Sequence, residues 1–401
     1  MGRALEEAAC HSRLKARAFA FISFQLKRIR CPKEYSFINT KVTLMAFWHI
    51  ARPSRQDSQP ASANSNNTPK RHMTRTALKI VFHGQNAANF RQGFEALIPP
   101  EHQLLDLSDG LGAPGERAHF ESADVIVGIK LDASLPTPHK LRLYHAPAAG
   151  TDMIDLSLLP AGSVLCNCFG HENAIAEYVM AALLQRHVPL AKADADLRGG
   201  HWTYWAGRPT ALRSELGAQT LGLVGFGHIA KTLAARAKAF GMRVHVANRN
   251  LVSSPFVDES FALDALPAFM ASADNVVVTL PLTAQTESLV NAEAMAAMRP
   301  DGVLINVGRG PVVNEQALYE ALAGQKIGGA IIDTWYQYPT PDTPERTPSR
   351  FDFAALGNVL MTPHMSGWTA GTVRRRQDTM ADNIARLLAG HPLVNVLKAA
   401  T

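Results

Sequence analysis

The chain has 401 residues, 47% hydrophobic and 18% charged, enough for two domains with their own cores and too apolar for a disordered protein. Its formal charge of +6 is unevenly placed: residues 1–75 carry 14 Lys and Arg against 4 Asp and Glu, and the rest of the chain carries 26 against 30. The body is thus mildly acidic, which argues against a basic nucleic-acid face, and it has no uninterrupted apolar run of about 18 residues to cross a membrane.

Residues 1–50 mix basic and apolar side chains, and 52–75 turn to Ser, Asn, Gln, Pro and Lys, the composition of a solvated linker. An Arg-rich start resembles an organellar targeting peptide, a reading that Glu6, Glu7 and Glu34 weaken. The expectation is a disordered extension over 1–75, with the working chain starting near Met73. Of the four cysteines, Cys10 and Cys31 fall in that extension, while Cys166 and Cys168 are expected as reduced, structural thiols of a cytoplasmic protein. No metal site is expected.

From Leu78 the pattern changes to short apolar, β-branched runs: Lys79–Gly84, Asp124–Lys130, Leu141–Ala146 and Ser163–Cys168. A helix is predicted over 173–190, where Ile175, Tyr178, Val179, Ala182 and Leu183 recur at three- and four-residue spacing. A second strand series follows at Thr220–Val224, Arg243–Ala247, Asn275–Leu280, Val303–Val307, Gly329–Asp333 and Val359–Thr362. Nearly every residue in these runs is apolar, as required of strands covered by helices on both faces. An amphipathic helix over Thr372–Ala389 ends at Gly390. The fold class predicted is α/β, with two doubly wound parallel-sheet domains.

The strongest local motif is Gly225-x-Gly227-x-x-Ala230, between a strand and a helix. Gly225 permits the tight turn, Gly227 lets the backbone approach a pyrophosphate, and Ala230 lets the helix lie against the strand. The amides at the helix start, at His228 and Ile229, face the anion. About 20 residues on, where an acid would hold the ribose hydroxyls of NAD, the chain has Asn248 and Arg249. This pair can accept and neutralise a 2′-phosphate, so NADP is preferred and NAD is the second candidate.

With Ala148–Asp152, Asn173–Glu177, Leu280–Thr286, Ile305–Gly310, Ile332–Trp335 and Thr362–Gly367, the glycine loop resembles the D-isomer-specific 2-hydroxyacid dehydrogenase family from about Lys79 to about Leu397. The resemblance implies a Rossmann-type dinucleotide-binding domain over 173–367 and a flavodoxin-like substrate domain over 76–172 plus 368–401. It implies that Arg309 binds the carboxylate and carbonyl of a small 2-oxo or 2-hydroxy acid and that His364 exchanges the proton. A guanidinium fork and an imidazole suit these tasks, since one grips a planar carboxylate and the other titrates near neutrality. The backbone of Ala149 and Gly150 would touch the carboxylate. Leu280, Pro281, Thr286, Val307 and Gly308 would line the cofactor cleft, and Asp333 would bind the nicotinamide amide. A homodimer is implied, with the aromatic loop of Trp202, Tyr204 and Trp205 at its interface.

The chain departs from the family in one place. Five residues after the aspartate, where the family has a glutamate beside the histidine, stands Tyr338, preceded by Gln337. Either one is expected to orient His364 and to leave its pKa lower than a carboxylate would; failing both, Asp342 or Glu345 would be the paired acid. Lysine, which phosphite dehydrogenases have at the position of Ala149, is absent. His171, near the domain junction, is expected as a helix cap or surface residue, with an approach to the substrate as the alternative. The function expected is hydride transfer between NAD(P)H and a glyoxylate- or hydroxypyruvate-like acid. The alternative, opened by the missing glutamate, is a dinucleotide-sensing scaffold like the family's corepressors.

Overall fold

The structure, a computed structural model, describes residues 77–399 except Pro341 and Asp342; the expected extension, Cys10, Cys31 and Asp342 lie outside the described residues. The first sheet is built from β1 Lys79–His83, β2 Gln103–Leu107, β3 Val125–Val127, β4 Leu143–His145 and β5 Val164–Cys166. They run parallel in the order 2-1-3-4-5, the flavodoxin-like winding. The second holds β6 Thr220–Val224, β7 Arg243–Asn248, β8 Glu259–Ala262, β9 Asn275–Val278, β10 Val303–Asn306, β11 Gly329–Ile332 and β12 Val359–Met361. Its order, 8-7-6-9-10-11-12, is the doubly wound dinucleotide-binding arrangement with one strand added at the edge. A final strand, β13 Val396–Lys398, pairs antiparallel with β5 and brings the end of the chain back to the first sheet.

Every residue of β6, β9, β10 and β11 is buried, as their uninterrupted apolar runs require. The predicted set lacked β2, β8 and β13, which lie at sheet edges and are only partly buried. The helix predicted over 173–190 runs Glu172–His187, and a second, Leu190–Arg198, begins after Pro189. Proline disfavours helix in the residue before it, which breaks the run. Ile175, Val179, Met180 and Leu183 of the first helix share a core with Leu223 of β6 and with Leu233, Ala234 and Ala237 of the helix His228–Ala239.

The last helix, Ala370–Ala389, is closed at its start by the Thr369 hydroxyl, which accepts from the Thr372 amide, and at its end by Gly390 at φ 68°. It belongs to the first sheet's core, where Met380, Ala381 and Ile384 meet Phe82, Phe94, Cys166 and Cys168. Burial pushes both thiols up to about 12, so they are packing groups. No helix among the described residues is long and apolar enough to cross a membrane, and no group of His, Cys, Asp and Glu among them is placed to hold a metal.

Asn383, fully buried, fastens the end of the chain. Its Oδ1 accepts from the Val394 amide at 2.8 Å, and its Nδ2 donates to the Val394 carbonyl at 3.0 Å and stands 2.9 Å from His145 Nε2. Asn383→Ala would orphan the buried His145 ring nitrogen and two partly buried main-chain groups of Val394, and should lower unfolding free energy by about 1–3 kcal/mol. The exposed ion-pair variant Asp382→Ala should cost under about 1 kcal/mol, and urea unfolding of the two variants checks the contrast.

Candidate active site

The loops that follow β1, β4 and β5 of one sheet and β6, β9, β10 and β12 of the other enclose a cavity of about 660 Å³. Ligands of open α/β sheets bind at such strand ends. Gly225 holds φ 91°, and a β-carbon there would meet Leu280 Cδ2 at 2.7 Å, so the turn requires glycine. Gly227 is different: nothing lies within 4 Å of where its β-carbon would stand. That open cradle sits before the helix His228–Ala239, whose first-turn amides have no helical carbonyl to bind. A dinucleotide pyrophosphate fits this cradle.

The wall beyond it is formed by Ile229, Leu280, Pro281, Val307 and Gly308, a flat apolar slot of the kind a nicotinamide ring occupies. His228 lines the cavity too, its ring stacked on Phe169 of the first sheet at 4.1 Å and 15°; its backbone is the part left for an anion. Asn248 and Arg249 stand at the end of β7, beside the glycine loop through the Gly225 amide's bond to the Ala247 carbonyl at 2.8 Å. Asn248 Nδ2 donates to the Asn250 carbonyl, and Arg249 is exposed with no ion pair among the described residues. Thr286 closes the turn after Pro281, its hydroxyl donating to the Pro281 carbonyl at 2.7 Å.

Arg309 and His364 stand on the wall of this one cavity. The Arg309 loop is set by its flanking glycines: a β-carbon at 308 would meet the Leu280 carbonyl oxygen at 2.7 Å, and one at 310 would overlap the Trp335 carbonyl. Arg309 Nε donates to Asp152 Oδ2 at 3.0 Å across the cleft, and Nη1 to the Gly308 carbonyl at 3.0 Å. Nη2 has no protein acceptor and lies against Gly150, where any β-carbon would displace it. Ala149 and Gly150 line the same wall, and their amides have no acceptor among the described residues. Asn167 Nδ2 holds this segment by donating to the Ala149 carbonyl at 2.7 Å.

His364 has φ 56°, a left-handed backbone that few side chains adopt. Asp333, fully buried just after β11, holds it there. Oδ1 accepts from the Thr362 hydroxyl at 2.6 Å and the Met365 amide at 2.9 Å, and Oδ2 from the Ser366 amide at 3.0 Å. Asp333 therefore clamps the histidine's turn from both sides. Tyr338 supplies the ring's partner: its hydroxyl accepts from the Trp335 amide at 3.0 Å and lies 3.0 Å from His364 Nδ1. The hydroxyl donates to Nδ1 of a neutral ring or accepts from Nδ1–H of a protonated one, and Nε2 is the nitrogen without a partner among the described residues. Burial lowers the His364 pKa from 6.5, the Asp333 charge raises it in opposition, and the Arg309 charge lowers it further.

Gln337 does not share this role. Its Oε1 accepts from Arg346 Nε at 2.9 Å, outside the cavity wall, and Glu345 is exposed. His171 corrects a second expectation. It occupies the cap position of the helix Glu172–His187 without a capping bond, and its largely buried side chain lines the cavity. Burial, then the nearby Arg376 charge, lowers its pKa to about 4. Sequence reasoning missed Asn86, Asn89, Trp368 and Arg376 on the wall and Asp152 behind Arg309. Of these, only Asp152 fell inside a motif that had been singled out.

Residues 180–366 match the family described as D-isomer specific 2-hydroxyacid dehydrogenase, NAD binding domain. The chain is 31% identical over 305 residues to the (S)-sulfolactate dehydrogenase of Chromohalobacter salexigens, covering 74% of this chain and 91% of that one. It is 32% identical over 254 residues to the glyoxylate reductase of Pyrococcus furiosus, covering 62% and 72%. It spans about half, 55%, of the D-3-phosphoglycerate dehydrogenase of Methanocaldococcus jannaschii, at 28% identity over 73% of this chain. Among solved structures, a D-isomer specific 2-hydroxyacid dehydrogenase of Xanthobacter autotrophicus, in complex with NADPH and MES, aligns with TM-score 0.67 and 25% identity, covering 80% of this chain and 98% of that one. The chain belongs to the D-isomer specific 2-hydroxyacid dehydrogenase family.

Proposed function

We propose that this protein reduces a small 2-oxo acid to its 2-hydroxy acid, reversibly, with NADP preferred over NAD. The observation that carries the reading is that Arg309, His364 and the free amides of Ala149 and Gly150 converge on one cavity beside an apolar slot and a glycine cradle. The glyoxylate reductase likeness supports glyoxylate and hydroxypyruvate as first substrates to try, and the NADPH complex of the Xanthobacter relative supports the cofactor preference. Domain limits of 76–172 with 368–401, and 173–367, fit the strand membership of the two sheets. The exposed Trp202 and Trp205 make their loop our choice for a homodimer contact. No observation of its own supports the scaffold alternative, since Tyr338 occupies the ring nitrogen that the missing glutamate would have held.

The nicotinamide, when bound, supplies or accepts the hydride. Arg309 grips the substrate carboxylate through Nη2, with Asp152 fixing the guanidinium from behind. The Ala149 and Gly150 amides take the carboxylate's other side. During reduction the carbonyl oxygen gains negative charge, which the guanidinium and the imidazolium stabilise, and Nε2 of His364 gives it a proton. Tyr338 keeps Nδ1 occupied so that Nε2 faces the reaction. In oxidation the neutral ring takes the proton back.

Arg309→Ala should lower kcat/KM for 2-oxo acid reduction by at least about 100-fold, checked by NADPH oxidation with a panel of 2-oxo acids. No turnover by the unaltered protein, despite tight cofactor binding, would favour the scaffold. The pH profile should carry the mark of His364. Reduction needs the imidazolium, and the ring's pKa is lowered, so reductive kcat/KM should fall as pH rises through a value below 6.5. Tyr338→Glu should move that limb upward by at least about one pH unit, because a carboxylate at Nδ1 stabilises the charged ring; an unmoved limb would contradict the assignment. Arg249→Ala should raise KM for NADPH about tenfold and leave NADH nearly unaffected. Equal loss for both cofactors would contradict a 2′-phosphate role.

A further inference from the structure

We propose that Arg376 forms a second anion-binding position in this cavity, so that the substrate is a short 2-oxo acid carrying a second anionic group at its far end. This rests on the reading of Arg309 as the holder of the first carboxylate.

Arg376 lies in the second turn of the helix Ala370–Ala389, on the cavity wall and partly buried. Its Nη1 donates to the Pro147 carbonyl at 3.0 Å and its Nε to the Phe169 carbonyl at 3.4 Å, which fixes the guanidinium at the ends of β4 and β5. Those bonds leave Nη2 without an acceptor among the described residues. No carboxylate among them lies within ion-pair distance of Arg376, although its helix neighbours Arg374 and Arg386 are paired with Asp378 and Asp382. The nearest acid in the sequence of the wall, Glu172, is turned to the Gly170 amide at 2.8 Å.

The composition of the wall makes this vacancy informative. It contains two arginines, Arg309 and Arg376, and no aspartate or glutamate. Arg309 is already balanced in part by Asp152, whereas Arg376 has no carboxylate within ion-pair distance among the described residues and feels Glu172 only from further off, so this sheltered cation favours an anionic ligand. Neutral donors stand on the same wall: the amides of Asn86 and Asn89, and the imidazole of His171, whose Nδ1 is buried without a partner. Arg309 follows β10 of the second sheet, and Arg376 is held by main-chain carbonyls that follow β4 and β5 of the first. A substrate with anionic groups at both ends meets both; glyoxylate meets one.

The test uses the full chain with NADPH and four matched acids: pyruvate and hydroxypyruvate with neutral tails, oxaloacetate and 3-sulfopyruvate with anionic ones. The unaltered protein should show kcat/KM at least about tenfold higher for an anionic tail. Arg376→Met should lower that value about 100-fold, lower the neutral-tail value less than about fivefold, and Arg376→Lys should restore part of the loss. NADPH fluorescence and thermal unfolding report whether the variants fold, and the unaltered protein's panel decides the matter if Arg376→Met does not. A preference for neutral tails, or an equal loss for both kinds of acid in Arg376→Met, overturns the proposal and leaves the dehydrogenase reading intact. Turnover of none of the four, nor of glyoxylate, overturns both.

Discussion

The buried carboxylate of Asp333 is the constraint on which the site depends. It collects one hydroxyl and two main-chain amides from the segment 362–366, and in doing so holds His364 in a left-handed conformation that its own backbone disfavours. Three hydrogen bonds to an ionised acceptor are worth several times the strain of one residue. Asp333 stands where β11 ends, beside β10 and β12, so these strands at one side of the second sheet fix the imidazole's position. The same strand ends carry Arg309, whose flanking glycines let its loop lie against the backbone of Leu280 and Trp335. A proton-transfer group and an anion-binding group are thereby placed by one rigid element, which is how a site keeps its geometry without a ligand.

The tyrosine beside that histidine changes the chemistry without changing the frame. A carboxylate at Nδ1 would favour the imidazolium; the neutral hydroxyl that stands there favours it less. Burial and the charge of Arg309 act in the same direction, and Asp333 alone opposes them. The result is a histidine tuned toward its neutral form, beside the arginine proposed to hold the substrate. An anionic substrate offsets this by stabilising the protonated ring once bound, so the balance between reduction and oxidation depends on what occupies the cavity.

Much of this was legible in the amino-acid sequence, and each omission has a physical cause. Buried central strands announce themselves through unbroken apolar runs, and a phosphate loop through glycines whose spacing the turn dictates. The edge strands β2, β8 and β13 bury only one side and so lack that signature. The segment 333–338 suggested that either Gln337 or Tyr338 meets His364; the bond from Arg346, nine residues further along the chain, to Gln337 leaves Tyr338 as the side chain at the imidazole. Arg376 was invisible for a different reason: a charged residue on an amphipathic helix reads as a solvated face, and only the return of that helix to the first sheet brings it to the cavity. Sequence patterns record local constraints, whereas a cleft is assembled from chain ends far apart.

The most direct measurement is a crystal structure of the protein with NADP and oxamate, an unreactive mimic of a 2-oxo acid. The account predicts the oxamate carboxylate on Arg309 and the amides of Ala149 and Gly150, with its carbonyl oxygen in hydrogen-bond reach of His364 Nε2. Oxamate bound away from Arg309, or an imidazole rotated off Tyr338 and out of reach of the carbonyl, would contradict it.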